Sequence, residues 1–308
     1  MCYSAQIKAE YEKYRRLTGA DMDIRTFVRT FWWKEGAQPS RRPRVPRAVE
    51  RDLLANGPEE VAVLVRRWDA WETDRLTREV FAQRRRVADA ERALQARDTK
   101  KAREDARIGS AKVAAAQRRL DALKGREGED DRRIYPGSWC PVVVAEGGRR
   151  LVRLMRYQCR PAGKPASFDR RFPGTYSARR DSLEGFWAGL FGRRHAVMIA
   201  DRFYENVEVD GRNRVLEFAP RTGEPMYIAC LWSEWTDPAG REPDLLSFAA
   251  ITDDPEPEVA AAGHDRTIIN LKPEHLDAWL DPDPRDLARL YAILDDRQHP
   301  YYEHRIAA

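Results

Sequence analysis

The chain opens Met1-Cys2-Tyr3-Ser4, and its second residue could do chemistry. A cysteine side chain is small enough to permit removal of Met1, which would leave an N-terminal Cys2 bearing a free α-amine and a thiol on adjacent carbons. With ordinary pKa values of about 7.7–8.0 and about 8.5, both groups are partly in their reactive forms near neutrality. Such a pair reacts with aldehydes: the amine condenses to a Schiff base and the thiol closes it to a five-membered thiazolidine. Taken alone, Glu205 reads as a strand-end surface carboxylate and His264 as a loop histidine. The other cysteines, Cys140, Cys159 and Cys230, form no CxxC pair and no metal-ligand spacing with the five histidines. No metal, cofactor or disulfide framework is expected.

The elements that must position these groups fall into two compositions. Over 308 residues, two domains or one domain with an insertion are possible. Charged residues make up 34% of the chain, against about 25% in a typical globular protein. Lys plus Arg is 55 and Asp plus Glu 50, so the net charge of +5 is a small difference between large numbers. It permits a local basic groove without demanding one. The arginine excess over lysine reads first as the imprint of a GC-rich genome. No apolar run approaches a membrane span and the N-terminus lacks an apolar leader, so a soluble, cytoplasmic protein is expected, with no membrane partner.

From about Pro58 to Arg133 there is no proline and little glycine, and Leu76, Val80, Val87, Ala90 and Leu94 form one apolar seam at helical spacing. A second seam, Val113, Ala116, Leu120 and Leu123, follows Gly109-Ser110. The spacing predicts an antiparallel coiled-coil hairpin whose turn lies between Arg97 and Ser110. The alternative is one helix of up to about 50 residues, about 75 Å long. Its charges read as a solvated face, with contact to DNA, a protein partner or a second copy as the other use.

After about Ile134, proline and glycine punctuate short apolar runs: 141–144, 151–155, 196–200, 226–232, 247–251 and 267–271. These predict a compact strand-rich domain. Helices are expected at Tyr11–Arg16, Ile24–Phe31, Ser182–Gly189, Pro273–Leu280 and Pro284–Leu294, the last capped by Asp283.

Five blocks in order resemble the SOS response-associated peptidase (SRAP) family, relatives of proteins that crosslink to abasic sites in single-stranded DNA. They are Met1-Cys2, Met155-Arg156-Tyr157-Gln158-Cys159-Arg160-Pro161, Tyr176-Ser177-Ala178-Arg179-Arg180-Asp181, Ile199-Ala200-Asp201-Arg202-Phe203-Tyr204-Glu205, and His264-Asp265-Arg266 with Trp279-Leu280-Asp281-Pro282 downstream. The blocks cover roughly residues 1–50 and 134–295 and put the helical segment outside the shared core.

The resemblance implies an α+β fold: a strand-rich, open barrel-like SRAP core with flanking helices, built from residues 1–50 and 134–308, and an inserted hairpin at 51–133. It implies covalent capture of abasic single-stranded DNA through Cys2, in the cytoplasm and at the nucleoid during repair. By analogy, Glu205 would steer protons at the amine and the sugar oxygen, and assist Met1 release. His264 would be the general acid or base for ring opening and for formation or reversal of the crosslink, which brings (auto)peptidase and lyase activity into view. Arg156, Arg179, Arg180 and Arg266 would hold phosphates and Tyr157 would stack on a base. Ser177 stands where the family has asparagine, Asn206 replaces a tryptophan, and Tyr3-Ser4 replaces Gly-Arg. The rival reading is a thiol peptidase acting on protein substrates, with Cys2 as nucleophile, His264 as base and Glu205 orienting it.

Overall fold

The computed structural model describes residues 4–33, 42–209, 211–237 and 239–307. The chain divides into two compact units, one of Met1–Thr30, Pro43–Asp52 and Arg132–Ala308, the other of Phe31–Arg42 and Leu53–Asp131.

In chain order the strands are β1 (Ser4–Ile7), β2 (Asp21–Met22), β3 (Arg133–Ile134), β4 (Trp139–Glu146), β5 (Arg149–Tyr157), β6 (Ser177–Arg179), β7 (His195–Val209), β8 (Arg212–Pro220), β9 (Met226–Trp235), β10 (Leu245–Asp253), β11 (Thr267–Ile268) and β12 (Tyr302–Ile306). The α-helices are α1 (Tyr11–Thr18), α2 (Ile24–Phe31), α3 (Arg47–Asn56), α4 (Glu59–Ala96), α5 (Lys100–Leu123), α6 (Phe168–Arg171), α7 (Pro257–Ala261), α8 (Leu276–Leu280) and α9 (Leu287–Asp295). The fold is α+β, a strand-rich core with flanking helices and a helical hairpin.

The barrel-like core is a circuit of paired strands. β10 runs parallel to β5, β5 antiparallel to β4, β4 meets β7, β7 pairs with β9, and β9 returns to β10. Two seams are narrow: β4 joins β7 through the single registered pair Val143↔Val197, and β10 joins β5 through Ser247↔Arg156 and Phe248↔Tyr157. Near-continuous apolar sequence is what strands buried on both faces require. Accordingly, Leu245 to Thr252 of β10 are all buried, as is β9 apart from Glu234.

β7 outruns the barrel. Its residues His195 to Ala200 pair with β9, and from Phe203 to Val209 it pairs with β8 instead. β1 lies on its other edge, with Ser4 opposite Tyr204, and β3 and β12 complete a second, antiparallel sheet in the order β3-β1-β7-β8-β12. Side chains alternate between faces along a strand. Phe203, Glu205 and Val207 therefore share the inward face, with Phe203 stacked on Phe218 at a centroid distance of 5.0 Å.

The start of β7 is locked by His195, which is 2% exposed. Its Nε2 accepts the Gly192 N–H at 2.8 Å, its Nδ1 lies 2.9 Å from the Trp279 carbonyl oxygen, and its ring packs 4.0 Å from the Trp279 ring. Burial pushes the His195 pKa down to about 3, so the imidazole is neutral and donates from Nδ1.

In the other unit, α4 and α5 form the hairpin, and the chain reverses at residues 97–99, where Thr99 caps α5 by accepting the Ala102 N–H at 3.2 Å. Leu76 and Val80 pack with Ala116, Leu120 and Leu123, joining the two predicted seams. Gly109 lies inside α5, where an added Cβ would stand 2.7 Å from Val87 Cγ2. It marks close helix packing, and the reversal comes ten residues earlier.

Other boundaries also differ. Ser182–Gly189 forms no α-helix; a 3-10 turn at Arg180–Ser182 is followed by turns. The helix expected at Pro284 begins at Leu287 and is capped by Asp286, because Asp283 instead accepts the Arg285 N–H at 2.9 Å within the preceding turn. β8 and β12, which carry Arg, Glu and His between their apolar residues, do not stand out as apolar runs.

Candidate active site

Glu205 and His264, 59 residues apart in sequence, meet in space. Glu205 is delivered by the part of β7 beyond the barrel and is 1% exposed. His264 follows α7, in a loop held by its own N–H to the Val259 carbonyl at 3.2 Å and returned to the sheet by β11, which pairs with the end of β10. His264 Nε2 lies 3.2 Å from Glu205 Oε2. Its Nδ1 is 2.9 Å from the Arg266 carbonyl oxygen. The contact sets an imidazole nitrogen against a carboxylate oxygen, two groups able to take and give protons. Burial pushes the His264 pKa below its ordinary value, which favours the neutral ring and suits it to accept a proton.

Ser177 lies on β6 opposite Ala250, and its hydroxyl is 2.9 Å from that of Thr252. Thr252 in turn pairs with Ile268 of β11, so β6 and the strand leaving the His264 loop flank the same end of β10. Cys2 lies outside the described residues. The other three cysteines are buried, and burial pushes their thiols up, that of Cys159 to about 12. None of these three is a nucleophile at neutral pH.

The residues expected to bind DNA are mostly engaged within the protein. Arg156 donates to Asp169 at 2.7 Å, and Arg160 shares that carboxylate. Burial would raise the Asp169 carboxyl, but these two arginines hold it below the usual range. Arg180 bridges Asp253 at 3.0 Å and Asp295, and Arg179 pairs with Asp181 at 3.0 Å while remaining 42% exposed. Arg266 reaches Asp265 at 3.3 Å, but its Nε is buried with no hydrogen-bond partner among the described residues. Tyr157 is fully buried between Tyr176 and Phe248. It presents no face on which a base could stack, and this expectation is corrected: the residue is core.

The sequence does not single out Arg133. Its Nε donates to Ser4 Oγ at 3.0 Å, and its guanidinium lies 3.7 Å from the centre of the Tyr204 ring. Only the pairing of β3 with β1 brings it there. Among the described residues no group of three or more His, Cys, Asp and Glu side chains converges as a metal-ligand set.

A family model described as SOS response associated peptidase (SRAP) matches residues 92–306. The chain belongs to the SRAP family. The match includes Ser177, Glu205 and His264, and Cys2 precedes it. Beginning at residue 92, within α4, it takes in α5, which the sequence blocks leave outside the shared core. Membership associates this SRAP chain with the SOS response and with peptidase-type chemistry. No curated protein matches it. Similar solved structures include a Bordetella bronchiseptica protein, 19% identical, covering 57% of this chain and 87% of that chain with a TM-score of 0.47. Another is a Bacteroides thetaiotaomicron protein at 13% identity, covering 62% and 88%, with a TM-score of 0.49. A phage-related protein of Bordetella bronchiseptica is 20% identical, covering 57% and 81%, with a TM-score of 0.43. No described helix of this SRAP chain is long and apolar enough to cross a membrane.

Proposed function

We propose that this SRAP chain captures abasic sites in single-stranded DNA covalently, through Cys2 after loss of Met1. The α-amine adds to the C1′ aldehyde of the ring-opened sugar and one water leaves, giving an imine. The thiol then adds across the C=N bond: sulfur bonds to C1′, the proton ends on nitrogen, and the product is a thiazolidine. Each step moves one proton between an acid and a base. The observation that carries this reading is the 3.2 Å contact between Glu205 Oε2 and His264 Nε2, a buried carboxylate set against an imidazole.

Two further features support it. Ser4 pairs with Tyr204, the neighbour of Glu205, and a chain spans at most about 3.6 Å per residue, so Cys2 is tethered within about 7 Å of Ser4. The partnerless Nε–H of Arg266, two residues from His264, would be satisfied by a phosphate or sugar oxygen. The deciding experiment is the intact mass of the protein before and after mixing with abasic single-stranded DNA. The expected product is protein lacking Met1 plus DNA, less one water. Protein confirmed to begin at Cys2 that forms no such adduct would refute the proposal.

The family description favours a second reading, thiol peptidase action by Cys2 with His264 as base and Glu205 orienting it. The two separate on one point: thiazolidine closure needs the free α-amine, and a thiol peptidase needs only the sulfur. One extra residue ahead of Cys2 should abolish the DNA adduct and spare peptide cleavage.

A further inference from the structure

The face of the sheet opposite Glu205 holds a second constellation, its floor buried and its arginines reaching solvent. Tyr204 faces this side, and its hydroxyl donates to Glu217 Oε2 at 3.1 Å. The other oxygen of the same carboxylate, Oε1, accepts from Arg202 at 2.8 Å and from Arg305 at 2.9 Å. Glu217 is the sole carboxylate partner of Arg202 and of Arg305 among the described residues. Two guanidiniums thus converge on one oxygen, and Arg133 adds a third over the Tyr204 ring at 3.7 Å.

One carboxylate cannot neutralise both Arg202 and Arg305, and their remaining N–H groups can donate to a second anion. Arg305 is 69% exposed and Arg202 36%. The row Ser4–Tyr204–Glu217–Arg305 crosses four adjacent strands, with Arg202 reaching Glu217 and Arg133 reaching the Tyr204 ring from beside it. With one carboxylate between Arg202 and Arg305 the row keeps positive charge, which suits a phosphate backbone. Its β1 end is Ser4, two residues after Cys2.

We propose that Arg202, Arg305 and Arg133 form a phosphate track on this face, which holds the backbone of single-stranded DNA while an abasic sugar turns past the start of β1 toward Glu205 and His264. The proposal rests on the DNA-capture reading and adds to it the surface and the cations that bind the strand. Tyr204 and Glu205 are consecutive residues of β7, so the track and the proton-exchanging pair lie back to back across one strand.

The test measures binding of a fluorescent single-stranded oligonucleotide without an abasic site, by anisotropy across a salt series, with adduct yield on abasic DNA followed in parallel. A single-strand phosphate contact contributes about 0.7 to the slope of log affinity against log salt. Arg305→Gln, on the exposed edge strand, is expected to lower that slope by about 0.7, and Arg202→Gln with Arg305→Gln by about 1.4, with affinity falling about tenfold at low salt. Glu217→Gln removes the competing anion and is expected to tighten binding. Unchanged affinity and slope in Arg305→Gln, in a protein that melts as the wild type does, overturns the track; so does unchanged binding in Glu217→Gln if the double variant does not fold. Wild-type protein that forms adduct while these variants bind normally removes this proposal alone, whereas absence of adduct with normal DNA binding removes the capture reading alone.

Discussion

Glu205 Oε2 lies 3.2 Å from His264 Nε2, although one residue is on a strand and the other in a loop 59 residues later. The strand fixes the carboxylate and two backbone groups fix the imidazole: the Arg266 carbonyl holds the ring at Nδ1 and the Val259 carbonyl holds the main chain. A pair so held can transfer a proton without first reorienting. Functional groups far apart in sequence and buried together are a common basis for acid–base chemistry.

Cys2→Ala keeps the α-amine and removes the sulfur. The imine can still form but cannot close, so denaturant-stable adduct is expected to fall by at least about 100-fold, consistent with loss of the nucleophile. Borohydride added during the reaction should trap the residual imine. Stable adduct in this variant without reductant would rule out the thiazolidine.

Glu205→Gln preserves shape and replaces the ionisable carboxyl with an amide. General acid–base groups contribute about 10²- to 10⁴-fold, so the initial crosslinking rate is expected to fall by about 100-fold or more with little change in DNA affinity. A gel time course beside an anisotropy titration separates the two quantities. An unchanged rate would leave Glu205 a structural carboxylate.

The pH dependence follows from the direction of the His264 shift. Burial lowers its pKa, so the ring stays neutral to a lower pH than an exposed histidine would. If neutral His264 is the base, the acid limb of the rate profile should fall below about pH 6.5, the ordinary histidine value. His264→Asn should remove that limb along with most of the rate. A limb centred above that value in the wild type contradicts the assignment.

His195 makes a separate prediction about stability. Its pKa is about 3 in the folded chain, against an ordinary value near 6.5. The folded state therefore keeps it neutral while the unfolded state binds a proton, and stability is lost as pH falls from about 6.5 toward 3. The loss approaches about 1.4 kcal/mol per pH unit from this group. Urea denaturation at pH 7, 5 and 4 measures the slope, which His195→Phe should flatten. That variant leaves the Gly192 N–H and Trp279 carbonyl unpaired, so it should cost about 1–3 kcal/mol at pH 7.

At Gly109 two effects oppose each other. Replacing a helical glycine with alanine ordinarily gains about 1 kcal/mol. Here the new Cβ would meet the stiff, β-branched Val87 at 2.7 Å. Gly109→Ala is expected to show no gain in melting temperature, and Gly109→Leu to lower it; Val87→Ala should restore the gain to the alanine variant. A plain increase in the single variant would show that the helices separate at no cost.

Gly109 also shows where the sequence was legible. Its helical seams contained the hairpin, since Leu76 and Val80 do meet Ala116 and Leu120, but a glycine beside a serine reads equally as a turn or as a close approach. Only the partner helix decides between them. The barrel strands announced themselves because both their faces are buried. β8 and β12 did not, because Glu217 and Arg305 interrupt their apolar pattern to serve each other across the strands. At the site, only the family resemblance pointed to Glu205 and His264, which alone read as a surface carboxylate and a loop histidine, while Tyr157 could not be distinguished as core. Arg133 could not be found at all, because its place depends on a pairing between residues 129 apart.

That pairing bears on how the protein is made. β1 lies between β3 and β7, so its first cross-strand partner follows it by about 129 residues and its second by about 198. A ribosome adds about 5–20 residues per second, so β1 waits about 10–40 s for β7 to be made. β1 is synthesised well before both strands that hold it and is among the last to be fixed. Whatever must reach β1 unpaired has that interval in which to act.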